Sequence, residues 1–420
     1  MAYRVPFVEP VKVYNMIKDE LDAAYFEVMS KGDLIDRRQL RSFEDNLAKF
    51  VGTKYAVGLN SGYDALHMSL LAAGIGPGDA VIVPAHTFVA TCSAVVNVGA
   101  TPILVDVGKD FNIDCDKVEE LIKFNIQHST FNIQAIIPVH LSGYMANMVR
   151  VMEIAEKYNL VVIEDACQSL GSSMVNTKNT DFELSILNSE LKKDKSINTL
   201  IDPGSVVQHS TFNIQHSNRQ KKMAGSWGLT GCWSFYPFKI LGGYGDGGAI
   251  TTNNPDVALF ATRMRYNGED RDTGEYHGHG FTCLLDNMQA AFLDIKLRYL
   301  PQWIVRRKEI AEKYRAALSD MPDLLLPHYD DPRRDHVYQN YTVRSKQGND
   351  FSEYLKKNGV EVLTQFRKPY YKHGALKLED RGFPETEALS REVCSLPMNV
   401  EITDDEVDYV IKVVRSFYGK

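Results

Sequence analysis

Residues 160–169 read LVVIEDACQS. Four aliphatic residues in a row, with no polar alternation, describe a strand buried on both faces, and Asp165 marks its end. The same kind of run recurs upstream as AVIVP (80–84), TPILVDV (101–107) and AIIPVH (135–140), and a helical stretch through VMEIAEKY leads into the strand at 160. Short Val/Ile runs separated by helices specify a mainly parallel sheet covered on both faces, the α/β class. In such a sheet, ligand chemistry gathers at the carboxyl ends of the strands.

Toward the N-terminus, Val13, Ile17, Leu21, Tyr25 and Val28 recur at helical spacing, and Lys31-Gly32 is a fitting stop. A second helix is expected from Asp64 to Ala73, entered through Asn60-Ser61-Gly62. Toward the C-terminus, Leu285 to Leu318 is helical in pattern, with Pro301 expected to end or kink it. The segments NYTVRS, FSEYLKKNGVEVL and DDEVDYVIKVVRSFY then mix strands and helices on a smaller scale. The expectation is a large domain over 1–304 and a smaller α+β domain over 305–420.

One feature does not read as folded core. The octapeptide QHSTFNIQ occurs at 127–134 and again at 208–215, within a FNIQHST unit. The second copy ends a polar stretch over 177–217, read as an inserted surface excursion; the alternative is an ordinary loop with a small helix around ELSILNSELKK.

Composition narrows the function. A net charge of -7 with no basic stripe argues against a general nucleic-acid binder. The six cysteines are scattered singly, without metal-ligand spacing, as in a protein of a reducing compartment. No N-terminal signal pattern and no bilayer-spanning apolar run is present, so a cytoplasmic enzyme without a metal is expected.

Four strand-end elements carry chemistry. In GCWSFYPFKILGGYGDGGAI (231–250), Lys239 follows a strand and precedes a glycine-rich loop that lets backbone crowd a ligand. Phe235, Tyr236, Phe238 and Ile240 offer apolar walls that would activate Lys239 as a Schiff-base nucleophile, and Ser234 offers a hydroxyl to an anion. A solvated lysine beside a flexible turn is the plain alternative. Asp165 can pair with a protonated ring nitrogen and Gln168 with a ring hydroxyl; alternatively Asp165 caps a helix with Gln168 as its capping-box partner. The turn Asn60-Ser61-Gly62-Tyr63-Asp64 opens a helix whose unpaired amides suit a phosphate. In PAHTFVAT (84–91), Phe88 is a plate for stacking on a ring, or else an ordinary core aromatic.

Joined in chain order, these elements resemble the sugar aminotransferases of the DegT/DnrJ/EryC1/StrS family, of the aspartate-aminotransferase fold type. The resemblance runs through NSGYDALH, GIGPGDAVIVPAHTFVAT, GATPILVDV, AIIPVHLSG, VVIEDACQSLGS, GCWSFYPFKILGGYGDGGAITTN, LDNMQAAFLDIKL and SLPMNV. It implies a fold type I enzyme in which Lys239 binds pyridoxal phosphate and Asp165 faces the pyridine nitrogen. Gln168 would face the ring oxygen, and Phe88 would stack on the ring. Ser234 with the Gly62, Tyr63 and Asp64 amides would hold the phosphate. It further implies L-glutamate as amino donor, a keto-sugar nucleotide as acceptor, a homodimer with shared sites, and a place in amino-sugar biosynthesis for surface polysaccharide or natural-product glycosides.

Three residues depart from it. Tyr63 stands where the family usually has Ser or Thr, and Thr282 where an Asn usually reaches the neighbouring subunit's phosphate, with Leu284 in place of a common Arg. The rivals are a family dehydratase, in which His would replace Lys239, and a non-catalytic regulatory protein that keeps the fold. A nicotinamide oxidoreductase is disfavoured because no GxGxxG opens the first strand-to-helix turn.

Overall fold

The computed structural model describes residues 3–176, 221–327 and 331–420. The expected excursion over 177–217, with the second QHSTFNIQ copy, lies outside the described residues.

A strand that no Val/Ile run marked, β1 (Tyr55–Leu59), comes first, and the four Val/Ile runs form the strands β2 (Asp79–Pro84), β3 (Thr101–Val105), β4 (Asn132–Ile136) and β5 (Val161–Asp165). A short hairpin of β6 (Ser173–Val175) and β7 (Lys221–Met223) follows, then β8 (Thr230–Ser234) and β9 (Gly248–Thr252). Seven of these build one sheet in the order β1-β9-β8-β5-β4-β2-β3. The block from β3 to β8 is parallel, and β9 runs antiparallel between β8 and β1. The register pairs Leu59 with Gly248 and Gly248 with Ser234, while Asp165 pairs with Cys232. The ends of β1, β5 and β8 and the start of β9 therefore share one edge.

Helices α1 (Pro10–Met16), α2 (Lys18–Lys31) and α3 (Arg38–Val51) precede the sheet; α4 (Gly62–Ala72), α5 (Val89–Asn97), α6 (Cys115–His128) and α7 (Met148–Tyr158) connect its strands, and α8 (Pro255–Met264) follows β9. One apolar layer unites Phe43 of α3, Ile122 of α6, Ile154 of α7 and Leu293 with sheet residues such as Ile82 and Val162. The opposite layer unites Leu66 of α4, Val95 of α5 and Phe260 of α8 with Val81, Ile163 and Ile250. Alternate residues of each strand thus enter opposite cores, which is why the runs show no polar positions.

The expected first helix is two, broken at Ile17, where the backbone leaves the helical region; Gly32, at φ 67°, ends the second. Pro301 does not end the long helix: α9 runs from Asn287 to Leu318. Leu297, Leu300 and Trp303 are buried on either side of the proline, and this packing offsets the roughly 3 kcal/mol that a proline costs inside a helix through its lost hydrogen bond and ring clash.

The first QHSTFNIQ copy is likewise not a loop. Its His128 ends α6, Ser129 takes the left-handed cap at φ 48°, and Asn132 begins β4. Asn125 closes the turn by accepting the Phe131 N–H (2.8 Å) and donating to its carbonyl (2.9 Å).

Beyond α9, a three-stranded antiparallel sheet of Leu324–Leu325, Tyr341–Ser345 and Val393–Leu396 packs with α10 (Gly348–Lys357) and α12 (Asp404–Phe417). The last turns of α9, through Ile310, Tyr314 and Leu318, join them in a separate hydrophobic cluster. Helix α11 (Pro384–Glu392) ties back to the large sheet: Asp106, just after β3, accepts the Thr386 N–H (2.9 Å) and hydroxyl (2.7 Å). Among the described residues no helix is long and apolar enough to cross a membrane.

Candidate active site

At the shared edge, α4 starts directly above Ser234. A side-chain carbon placed on Gly62 would come within 2.8 Å of Ser234 Cβ and 2.7 Å of Cys167 Sγ, so only glycine allows this approach. Gly248 is needed for the same reason, since a side chain there would meet the Ser61 carbonyl carbon at 2.2 Å. Ser61 caps α4: its Oγ accepts the Asp64 N–H (3.1 Å), and its hydroxyl donates to the Asp64 carboxylate (2.7 Å).

This corrects one expectation. The Asp64 amide is already committed, because the side-chain cap reaches it first. The Gly62 and Tyr63 amides have no acceptor among the described residues. The Tyr63 side chain points along the helix, stacking on His67 and accepting a hydrogen bond from Asn97 (2.6 Å). Burial holds the Asp64 carboxyl above its usual range.

Asp165 is buried at the end of β5. Its Oδ2 accepts the Thr91 hydroxyl (2.8 Å) and its Oδ1 the Cys167 N–H (3.3 Å). No helix follows it: residues 166–172 form turns, so the helix-capping alternative falls away. Gln168 Oε1 accepts the Ser142 N–H at 2.7 Å. A backbone N–H can only meet the oxygen, so the amide group of Gln168 is turned outward as a donor, without a partner among the described residues.

Lys239 sits half-buried on the turn after β8, its N–H bonded to the Tyr236 carbonyl (2.8 Å). Its amine has no ion-pair partner among the described residues. It lies near enough to Cys167 to oppose the strong upward push that burial and Asp165 exert on that thiol. Phe88, first residue before α5, is 60% exposed and is not a core aromatic. Thr282 is exposed, bridged to Tyr266 and donating to Asn267 (2.9 Å); the adjacent Cys283 carbonyl accepts the Asn60 N–H (2.7 Å). Leu284 bridges to Leu59 and packs on the core. Gly62, Ser234, Cys167, Asp165 and Lys239 thus converge, whereas Thr282 faces outward.

The chemistry of these groups fits pyridoxal phosphate: amide and hydroxyl donors at one end, a buried carboxylate at the other, an outward amide donor, and a primary amine unpaired among the described residues. The family model described as the DegT/DnrJ/EryC1/StrS aminotransferase family matches residues 15–415. The chain belongs to this family.

Relatives from the family cover it almost end to end. The dTDP-3-amino-3,4,6-trideoxy-alpha-D-glucose transaminase of Streptomyces venezuelae is 32% identical over 99% of this chain and 96% of its own. The pleiotropic regulatory protein of Geobacillus stearothermophilus is 31% identical over 99% of this chain and 98% of its own. The structure of NtdA from Bacillus subtilis with bound cofactor PMP superposes with a TM-score of 0.79 at 26% identity, covering 100% of this chain and 86% of that one. The fold is that of the fold type I aminotransferases.

Several supporting residues of this family member were not singled out in the sequence. Thr91 bonds Asp165 and also Thr87 (3.0 Å). Ser142, at φ 57°, directs its N–H onto Gln168. Glu164 accepts the N–H groups of Gly225 (2.9 Å), Trp227 (2.6 Å) and Gly228 (2.9 Å), and faces His140 Nε2 at 3.0 Å. His140 Nδ1 accepts the Ala146 N–H (3.2 Å), which places the ring proton on Nε2, toward Glu164. The charged Glu164 inside an apolar strand was the one available signal.

Proposed function

We propose that this chain is a pyridoxal-phosphate aminotransferase that moves an amino group from L-glutamate onto the keto group of a nucleotide-linked sugar. One observation carries the reading: an amine without an ion-pair partner among the described residues, Lys239, stands on the same sheet edge as the buried Asp165 carboxylate and the glycine-tight mouth of α4. The sugar nucleotide follows from relatives such as the Streptomyces venezuelae transaminase.

When bound, pyridoxal phosphate supplies an electron sink that makes the proton on the amino-bearing carbon removable. The residues do the rest. The Gly62 and Tyr63 amides and the Ser234 hydroxyl hold the phosphate, aided by the dipole of α4. Asp165, oriented by Thr91, keeps the pyridine nitrogen protonated. Gln168 donates its amide to the ring oxygen, and Phe88 covers the ring face. The Lys239 Nζ anchors the cofactor in the resting enzyme and, once released, takes and returns the substrate proton as general acid and base.

Exposed Phe88, Tyr236, Phe238 and Phe281 near the mouth support a homodimer, with the outward Thr282 serving the partner's phosphate. The separate hydrophobic cluster built from Ile310 to Val414, joined by Val5, supports a division at residues 1–304 and 305–420. Six free cysteines support a cytoplasmic setting. A regulatory role, the description carried by the Geobacillus relative, is the second reading. Borohydride reduction decides between them: an aminotransferase fixes the cofactor's mass on Lys239 and converts keto-sugar nucleotides in the presence of glutamate. A chain that takes up no cofactor, or takes it up and transfers nothing to any of a panel of dTDP-, UDP- and GDP-linked keto sugars, contradicts the proposal.

A further inference from the structure

The turn that carries Lys239 is gripped on both sides of the lysine by one side chain from the C-terminal half. Gln339 Oε1 accepts the Ile240 N–H at 2.6 Å, and its Nε2 donates to the Phe238 carbonyl at 2.9 Å. A backbone N–H requires the oxygen and a backbone carbonyl requires the NH2, so the carboxamide has one possible orientation. Gln339 is buried, and its own main chain is fixed in turn: Arg307 Nη1, also buried, donates to the carbonyls of Tyr338 (2.9 Å) and Gln339 (3.3 Å). Nothing else brackets Lys239 in this way among the described residues. The neighbouring contacts lie further along the loop, where Lys296 donates to the Gly242 carbonyl (2.7 Å) and Gln289 accepts the Tyr244 N–H (2.9 Å).

We propose that Gln339 is a positioning residue for Lys239, a two-point backbone clip that fixes where the amine starts from. The inference rests on the reading of Lys239 as the cofactor-bearing lysine. A half-buried amine on a turn flanked by the exposed Tyr236 and Phe238 has little side-chain packing to place it. The main chain therefore has to set its position, and misplacement by about 1 Å can cost on the order of 10²-fold in rate.

The test uses the full chain with Gln339→Ala and Gln339→Glu. In the cofactor-free alanine variant, hydrogen exchange at the Ile240 amide accelerates at least about 10-fold, while exchange in β8 and the melting temperature hold. In the loaded enzyme, kcat falls by about 10- to 100-fold with KM for donor and acceptor unchanged. The glutamate variant adds a pH signature. Protonated, its carboxyl reproduces both bonds; ionised, it has no donor for Phe238, and burial raises its titration above the usual carboxylate range. Its Ile240 protection and its kcat, each relative to wild type, therefore rise as pH falls from about 8 to 5, and this variant carries the test alone if the alanine protein does not accumulate. A flat ratio across that range, or an alanine variant whose Ile240 exchange and kcat stay within two-fold of wild type, overturns the proposal. So does a loss of kcat that only tracks a lowered melting temperature. Borohydride trapping in the wild-type chain separates the two levels: no adduct on Lys239 removes the underlying reading, whereas an adduct with an indifferent Gln339 removes only the clip.

Discussion

The two ends of the candidate site are built in different ways. At the Asp165 end the side chains are held before any ligand arrives: Thr91 fixes the carboxylate, Ser142 fixes Gln168, and the Glu164–His140 pair fastens the adjoining loop to β5. At the mouth of α4 the anchoring is sparse. Two backbone amides and Ser234 remain, the Tyr63 hydroxyl is engaged by Asn97, and the half-buried Asp64 carboxylate stands beside the helix start. Preorganisation at the first end favours the chemical step, because donors that are already aimed need no rearrangement. On the proposed reading, the second end governs how tightly the cofactor is kept. Substitutions at the two ends should therefore separate rate from affinity.

Lys239→Ala is expected to have the largest effect. Acid–base catalysis alone contributes 10² to 10⁴-fold, and loss of the covalent anchor adds to it, so turnover should fall by at least about 10³-fold. Borohydride should no longer fix the cofactor, while the melting temperature stays close to wild type. Near-normal turnover would remove Lys239 from the site.

At the Asp165 end, Asp165→Asn should keep cofactor binding and lower kcat by on the order of 10²-fold, since an amide cannot hold the ring nitrogen protonated. Thr91→Val should produce a smaller loss in the same direction, about 10-fold, matching one hydrogen bond to a charged group at about 1.5 kcal/mol. Single-turnover kinetics with glutamate measures both. If either change acted on cofactor affinity instead of rate, the contrast between the two ends would fail.

The mouth of α4 can be strengthened. Tyr63→Thr introduces a short hydroxyl at the helix start, and a charge-assisted bond to phosphate should tighten cofactor binding about 10-fold without changing kcat at saturation. The lost Asn97 contact and His67 stacking should lower stability by about 1 to 3 kcal/mol. Equilibrium titration of the cofactor-free protein reads the first effect and thermal unfolding the second. An unchanged affinity would mean that position 63 does not face the phosphate.

The same contrast explains what the sequence made legible. Strands β2 to β5 announce themselves because each is buried on both faces, and residues at their ends, such as Asp165 and Ser234, follow from where those runs stop. The supports could not be seen. Thr91 meets Asp165 across 74 positions, and Ser142 owes its role to a left-handed backbone that serine does not advertise. The Asp64 amide looked free because a capping serine and a phosphate-binding turn share one sequence pattern. Pro301 misled for a related reason: the packing of Leu297, Leu300 and Trp303 that carries α9 past it is tertiary.

The smallest effect on rate and affinity is expected from shortening the chain between β6 and β7. Val175 pairs directly with Lys221 in an antiparallel register, so the two sides of the segment face each other across a hairpin. Retaining Asn176 and replacing residues 177–220 by a single glycine leaves an Asn-Gly pair, the sequence preferred in a two-residue hairpin turn. The connection between the paired residues shrinks from 45 residues to two, about four and a half halvings at about 0.6 kcal/mol of closure entropy each, so stability should rise, by up to about 2 to 3 kcal/mol. The chain re-entering at Lys221 is then captured by groups that do not depend on the removed residues, because Glu164 holds the amides of Gly225, Trp227 and Gly228. Cofactor affinity and kcat should accordingly stay within about two-fold of wild type, measured on the soluble shortened protein. A loss of kcat at unchanged affinity would show that the firmness of the Asp165 end depends on the removed segment, and a loss of affinity would tie that segment to the mouth of α4.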